Sequence, residues 1–367
     1  MTLRPLDPAA PALDRPRLSV VLVNYQRWDD TARLVKQLRR SRALRDGSAE
    51  VVVIDNASPG HPLVRRLRRT RGVTLVRWRE NRGFARAANE GCRLGRGDWI
   101  LLLNPDMTAP PGFLDRVLER ADSLASRGGV VGFRLVHEDG SPQFSTGYFP
   151  TLGSTLTRLL LPRALRKYSH PEGSGPREVD WVTGCCMLVR RRCWEELGGL
   201  DPAFFLYYED VDFCRRARGA GWSVWFDPSA TVMHHRPLHA REVPPHLRLV
   251  TRHALLTYAG KHWPAWQRAV LGGVVKMEAG LRWLAAWLRG DQAASTFGEM
   301  GRVAADLGRG ENASARARLV AVVRSQERSH AAPIEHRRPQ PQPARPAPRL
   351  PGERHAPCPA ADGMAGR

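Results

Sequence analysis

Three groups of residues in this 367-residue chain carry side chains able to do chemistry, and their order matters. Asn104-Pro105-Asp106 follows the apolar run Trp99-Ile-Leu-Leu-Leu103, which puts one carboxylate at the tip of a buried strand. A carboxylate there suits a hard divalent cation whose other ligands are phosphate oxygens. Pro105 stiffens the turn and keeps Asn104 extended. The plain alternative is a loop Asp ahead of a helix. Glu209-Asp210-Val211-Asp212 comes next, after the aromatic run Phe204-Phe-Leu-Tyr-Tyr208. A helix dipole favours acids in its first turn, so capping accounts for one of them. Three acids beside aromatics that exclude water point to a carboxylate of raised pKa, with Asp210 as a general base and Glu209 beside it. His234, 24 residues past Asp210, supplies an imidazole that can close a metal shell. A lone histidine is more often packed or surface-exposed, but next to a carboxylate it biases a site toward Mn²⁺ over Mg²⁺.

These residues need a frame, and the first half of the chain has the pattern of one. Leu18-Ser-Val-Val-Leu-Val23, Val51-Val-Val-Ile54, Val73 to Trp78 and Trp99 to Leu103 read as strands, the first, second and fourth as near-continuous apolar runs. Helical stretches follow or separate them at about 62–70, 83–94 and 111–126, and another, capped by Asp29 or Asp30, runs to about Arg40. The alternation predicts an α/β fold with a mostly parallel sheet wrapped by helices. Ligands of such sheets sit at the carboxyl ends of the strands, where Asn24, Tyr25, Asp55 and Asp106 fall.

Asp55 is placed to accept the imide N–H of a pyrimidine base, although Asp-Asn-Ala-Ser is equally a turn or cap sequence. Asn81-Arg-Gly83 enters a helix whose free N–H groups suit anionic oxygens, with Arg82 or Arg86 adding charge. An ordinary glycine turn beside a solvated arginine face is the alternative. Beyond residue 130, β-prone pieces at Val130–Val136 and Trp181–Val189 flank a Gly/Pro-containing stretch at 171–176. Trp181-Val-Thr-Gly184 reads as a strand and small-residue turn on the acceptor side, or as core. A helix at Glu209 to Arg218, a strand at Trp222 to Phe226 and helical pattern over 246–310 complete the expectation. In that last region Val270, Val274, Met277, Leu281, Leu284 and Leu288 line one helix face near Trp283 and Trp287, flanked by Arg268, Arg282 and Arg289. Such a face lies on a membrane or packs against protein.

Bulk properties narrow the class. The formal charge of +21 and pI near 11.0 favour anionic partners, yet the excess is almost all arginine, since Lys36, Lys167, Lys261 and Lys276 are the only lysines. No helix-turn-helix, zinc-finger or RNA-platform motif accompanies the charge, so nucleic acid is not the expected partner. The cysteines Cys92, Cys185, Cys186, Cys193, Cys214 and Cys358 form no CxxC, a reduced, cytosolic pattern. The first residues carry acids and prolines without an apolar core, so no signal peptide is expected.

Together, Ser19-Val-Val-Leu-Val-Asn-Tyr25, Val53-Ile-Asp-Asn-Ala-Ser58, Glu80-Asn-Arg-Gly-Phe-Ala85 with Asn89, Leu103-Asn-Pro-Asp106, Trp181-Val-Thr-Gly-Cys185 and Phe205-Leu-Tyr-Tyr-Glu-Asp-Val-Asp-Phe213 resemble the GT-A glycosyltransferases of family 2, especially their rhamnosyltransferase-like branch. The resemblance covers about 17–236. It implies an inverting sugar transfer in which Asn24, Tyr25 and Asp55 contact the nucleoside and Asn81, Gly83 and Asn104 complete the nucleotide-sugar site. Trp181, Gly184 and Glu209 would face the acceptor, Asp106 and His234 would hold Mn²⁺ or Mg²⁺, and Asp210 would be the base. Asn104 stands where many members have Asp, which shifts weight onto His234 and the pyrophosphate for metal binding. The implied donor is dTDP-L-rhamnose and the implied acceptor a glycan or glycolipid of the cell envelope. A UDP-hexose donor, a nucleotidyltransferase and a non-catalytic binding module are the alternatives.

The expected organisation is a flexible leader at 1–16, a transferase domain at 17–240 with its nucleotide half at 17–128 and its acceptor half at 129–240, a helical segment at 241–328, and a disordered tail at 329–367. The expected location is cytoplasmic, with peripheral contact at the inner face of the plasma membrane.

Overall fold

The computed structural model describes residues 15–160, 175–236 and 243–331. Most of the expected leader and tail, and part of the 171–176 stretch, lie outside these residues. The first half runs β1 (Leu18–Asn24), α1 (Trp28–Leu38), α2 (Arg42–Arg45), β2 (Ala49–Asn56), α3 (Leu63–Arg68), β3 (Val73–Trp78), α4 (Phe84–Leu94), β4 (Trp99–Leu103), β5 (Met107–Thr108) and α5 (Phe113–Ser123). The second half runs β6 (Gly128–Val136), β7 (Pro142–Gln143), β8 (Thr146–Gly147), α6 (Leu152–Leu160), β9 (Arg177–Glu178), β10 (Trp181–Val182), β11 (Cys186–Arg190), α7 (Arg191–Glu196), α8 (Glu209–Gly219) and β12 (Ser223–His234). Four helices follow: α9 (Pro245–His262), α10 (Ala265–Leu288), α11 (Ala293–Arg309) and α12 (Asn312–Ala331).

The main sheet has the order β3-β2-β1-β4-β11-β6-β12-β5. Strands β3, β2, β1 and β4 are parallel, as are β6 and β12, and β11 is the antiparallel strand between the two blocks. Helices cover both faces, as the apolar runs of β1, β2 and β4 require. Leu34, Val35 and Leu38 of α1 with Phe113 and Val117 of α5 pack on one face. Ala85, Ala88 and Cys92 of α4 with Phe213 and Cys214 of α8 pack on the other.

Two expectations shift. Asp29 and Asp30 do not cap α1, because the helix begins one residue earlier and Arg27 occupies the cap position without a side-chain bond. Asp30 is instead buried and accepts bonds from Arg33 and Arg236, at 2.7 Å and 2.5 Å. The strand expected at Trp222 to Phe226 starts at Ser223 and runs on to His234, past the end of the apolar run. Backbone pairing with β6 runs to Asp227 and resumes at Thr231, with an irregularity between them that contains Ser229.

The C-terminal helices pack on the aromatic run. Phe204 and Val211 join Leu255 and Tyr258 of α9, while Phe205 joins Leu249 and Val250. Helix α10 buries Leu271, Val275, Ala279 and Ala286, yet leaves Leu281 62% and Leu288 69% exposed, with Trp283 and Trp287 stacked beside them. Much of that face is therefore left uncovered by the described residues. Among the described residues no helix is long and apolar enough to cross a membrane. Helix α12 continues past residue 328, held by Arg318 against Glu299 and Asp306 and by buried Ala315 and Leu319.

Candidate active site

Sheet register brings the two halves of the site together. The β5–β12 ladder pairs His234 with Met107, and the His235 N–H donates to the Asp106 carbonyl at 3.0 Å. Asp106 and His234 thereby face each other, with Oδ1 and Nε2 separated by 3.6 Å and both side chains mostly buried. Gln143 fixes the imidazole, since His234 Nδ1 lies 3.0 Å from its Oε1 while its Nε2 donates to the His234 carbonyl at 2.6 Å. That amide orientation makes Nδ1 the protonated nitrogen and turns the Nε2 lone pair toward Asp106. Such outer partners are what hold a metal-binding imidazole in one tautomer. Among the described residues no group of three or more His, Cys, Asp or Glu side chains is gathered for a metal. A carboxylate and an oriented imidazole thus fit a divalent cation that takes its remaining ligands from phosphate and water.

The base candidate sits across one turn from this pair. The Asn104 N–H donates to the Cys185 carbonyl at 2.9 Å, continuing the β4–β11 ladder past Leu103 and Cys186. The residue before Cys185 is Gly184, whose N–H donates to Asp210 Oδ2 at 2.7 Å. Asp210 Oδ1 accepts from the Val211 N–H at 2.8 Å. A Cβ at Gly184 would lie 3.3 Å from that of Asp210, a tight contact that would press on the carboxylate. The turn Thr183-Gly184-Cys185 therefore links the Asp106 strand end to the Asp210 carboxylate.

Burial pushes the Asp210 carboxyl above its ordinary value, against the pull of the Gly184 and Val211 N–H groups. Burial, then the Asp210 charge, pushes Glu209 well above its own. Glu209 Oε2 has no hydrogen-bond partner among the described residues. Of two adjacent acids, the less buried one that accepts from two backbone N–H groups keeps the charge, and the buried one with an unpartnered oxygen keeps the proton. Asp210 is accordingly the ionised member. Asp212 is fully buried and of a different kind: burial raises its carboxyl, but His262, Lys261 and Arg216 outweigh that and hold it at about 2. It anchors α8 to α9 rather than joining the reactive pair.

The donor side is a polar network at the ends of β1 and β2. Asn24 accepts from Thr31 Oγ1 and donates to Asp55 and Ser58, at 2.8, 2.8 and 3.0 Å. Asp55 is fully buried, and Arg77 Nε donates to its other oxygen at 2.8 Å. Asn24 and Asp55 thus build the floor of this end, with Arg77 of β3 as a further member that the sequence reading did not single out. Asn81 Oδ1 accepts from Gly83 N–H and Asn56 Nδ2, which shapes the loop into α4. Gly83 has φ 90°, and a Cβ there would meet the Phe205 carbonyl at 2.6 Å. That carbonyl accepts from the Phe84 N–H, also at 2.6 Å, so the loop is fastened to the aromatic run ahead of Asp210. Tyr25 donates to Glu327 of α12 at 2.7 Å, and Asn81 Nδ2 donates to the same oxygen at 2.9 Å. Asn104 is half-buried at the end of β4, and Trp181 donates to the Tyr148 carbonyl at 2.9 Å in the short β8–β10 ladder. Gln143 and Glu327 escaped the sequence reading, since neither lies in a motif or an apolar period.

The family model described as "Glycosyltransferase like family 2" matches residues 16–252, from the start of β1 into α9. The chain belongs to the family 2 glycosyltransferases. It is therefore an enzyme of sugar transfer, and it is similar to proteins that include rhamnosyltransferases. It is 29% identical over 286 residues to the N-acetylglucosaminyl-diphospho-decaprenol L-rhamnosyltransferase of Mycobacterium tuberculosis, covering 72% of this chain and 91% of that protein. It is 27% identical over 140 residues to the rhamnosyltransferase WbbL of Escherichia coli K12, covering 38% of this chain and 52% of the relative. Among solved structures, the mannosyltransferase PcManGT from Pyrobaculum calidifontis, in complex with GDP-Man and Mn²⁺, aligns with a TM-score of 0.47 at 18% identity, over 88% of this chain and 90% of that one.

Proposed function

We propose that this family 2 glycosyltransferase moves L-rhamnose from dTDP-L-rhamnose to a hydroxyl of a lipid-linked cell-envelope glycan, in one displacement that inverts the anomeric carbon. The observation that carries the mechanism is the Thr183-Gly184-Cys185 turn, which ties an ionised, half-buried Asp210 to the strand end bearing Asp106. The name of the Mycobacterium tuberculosis relative supplies the choice of sugar and of a lipid diphosphate acceptor.

In this mechanism the acceptor hydroxyl docks beside Asp210, with Trp181 and Gly184 walling its site. Asp210 takes the hydroxyl proton as the oxygen attacks the anomeric carbon, a role worth about 10²–10⁴ in rate. The Gly184 and Val211 N–H groups keep that carboxylate aimed and charged until then. Protonated Glu209 adds no second negative charge beside it. Asn24 and Asp55 set the nucleoside end, while Asn81, Gly83 and the N-terminus of α4 receive the diphosphate. Asp106 and His234 would hold the divalent cation, Mn²⁺ by preference of the imidazole, which supplies positive charge to the leaving diphosphate.

A lipid-linked acceptor requires the enzyme to work at a membrane surface. The exposed face of α10, with Trp266 62% and Trp287 60% exposed, gives aromatic and apolar contacts, and the net charge of +21 suits anionic headgroups. Cytoplasmic location with peripheral attachment follows from that reading.

Incubation with Mn²⁺, a panel of nucleotide sugars and an envelope lipid extract tests this. A lipid product heavier by one deoxyhexose, formed from dTDP-rhamnose and lost when the extract is left out, is the expected result. Transfer from a UDP-hexose instead would refute the donor while keeping the enzyme class. Donor binding without transfer to any acceptor would return weight to a binding module.

A further inference from the structure

Three side chains along one side of α12 clasp the donor end of the cleft. Arg316 donates to the carbonyls of Pro202, Ala203 and Arg82, at 2.5, 3.3 and 3.1 Å. Arg324 pairs with Glu80 at 2.9 Å. Glu327 accepts from both the Tyr25 hydroxyl and Asn81 Nδ2, two groups on the donor side of the cleft. The opposite side of the helix is anchored by buried Ala315 and Leu319 near its start. Beyond residue 320 its grip combines partly buried Val322 and Val323 with the polar contacts of Arg324 and Glu327. Exposed ion pairs of this type contribute only about 0–1 kcal/mol each.

A carboxylate in this position has the acceptor chemistry of a nucleotide oxygen and carries the same sign of charge. It satisfies the Tyr25 hydroxyl and the Asn81 amide, and it repels an incoming diphosphate. From this juxtaposition we propose that α12 is an autoinhibitory strap, in which Glu327 occupies the place of a donor oxygen and must leave before a nucleoside diphosphate sugar binds. The proposal rests on the reading that Tyr25 and Asn81 receive the donor. The dissociation constant for the donor is then divided by the fraction of molecules with the strap released, so the apparent affinity falls. Loosening the strap raises affinity even though no contact to the nucleotide is added. The acceptor lipid or the membrane surface is the natural agent of release, because α10 and α11 join the exposed apolar face directly to α12.

The test is calorimetric titration of dTDP into the full chain, Glu327→Gln and Arg324→Ala, with deuterium uptake of 316–331 followed in the wild type. Both variants should bind dTDP about three- to tenfold more tightly, the effect of removing one net hydrogen bond or ion pair. Saturating dTDP should raise deuterium uptake in the last turns of α12. Weaker or unchanged binding in both variants, or greater protection of α12 on binding, would overturn the strap and make Glu327 part of a fixed wall. If dTDP, UDP and GDP all fail to bind any of the three proteins, the donor reading falls, and the strap with it. Thermal melts of the variants identify any loss due to misfolding, and tighter binding cannot arise from it.

Discussion

Asp210→Asn is expected to lower the transfer rate by about 10²–10⁴-fold while leaving nucleotide affinity within a factor of about two, because the change removes the proton acceptor and one backbone bond, both outside the nucleotide network. The Asp210 carboxylate bonds to Gly184 and Val211, and its contacts do not reach the Asn24, Asp55 or Asn81 network. The wild-type pH profile gives a second readout. Burial raises the folded-state pKa of Asp210, so the base is lost by protonation at a pH above the ordinary carboxylate range near 4. Activity should therefore climb with pH through that raised value and fall as pH drops below it. With Glu209 one residue away, the limb reports the pair rather than a single group. Asp210→Asn should abolish the limb along with the rate. A variant that keeps both the rate and the acid limb would remove Asp210 from its role.

Asp106→Asn should cost about 10²–10³-fold in turnover, the scale for losing one group that stabilises developing charge. Mn²⁺-dependent nucleotide binding should weaken with it, whereas binding in the presence of a chelator should not change. Gln143→Ala makes the sharper comparison. It leaves both proposed ligands in place and frees the His234 ring, so metal affinity should fall by about 10–100-fold, the range for lost outer partners. The measurement is the Mn²⁺ concentration for half-maximal activity. An unchanged Mn²⁺ requirement in both variants would mean that the pair Asp106 and His234 does not hold the cation.

How far the sequence revealed this site depended on whether each part obeyed a local period. Asp106 was legible because five apolar residues of β4 end one turn before it, and a buried parallel strand has a distinct pattern. Asp210 was legible from three acids behind an aromatic run. The β12 strand was legible only over its apolar start, because Asp227, Pro228 and Ser229 interrupt the pattern before Ala230 and Val232 resume it in the core. The missed cap has a similar cause. Asp30 looks like a helix-capping residue, yet its partner Arg236 is 206 residues away and no local rule reaches it. Gln143 and Glu327 act across 91 and 302 residues, on His234 and Tyr25, from a two-residue strand and from a weakly patterned helix. Among the described residues Cys92, Cys185, Cys186, Cys193 and Cys214 are free thiols. Burial pushes Cys185 up to about 12 and holds it unreactive between the two carboxylates.

The central claim is a single displacement with Asp210 as base, and the configuration of the new bond tests it most directly. Rhamnosylated lipid made from dTDP-L-rhamnose should show, by one-bond carbon–proton coupling at the anomeric carbon, a configuration opposite to that in the donor. A product with the donor's configuration would require two displacements or front-face attack, and would contradict a mechanism in which one carboxylate only takes a proton.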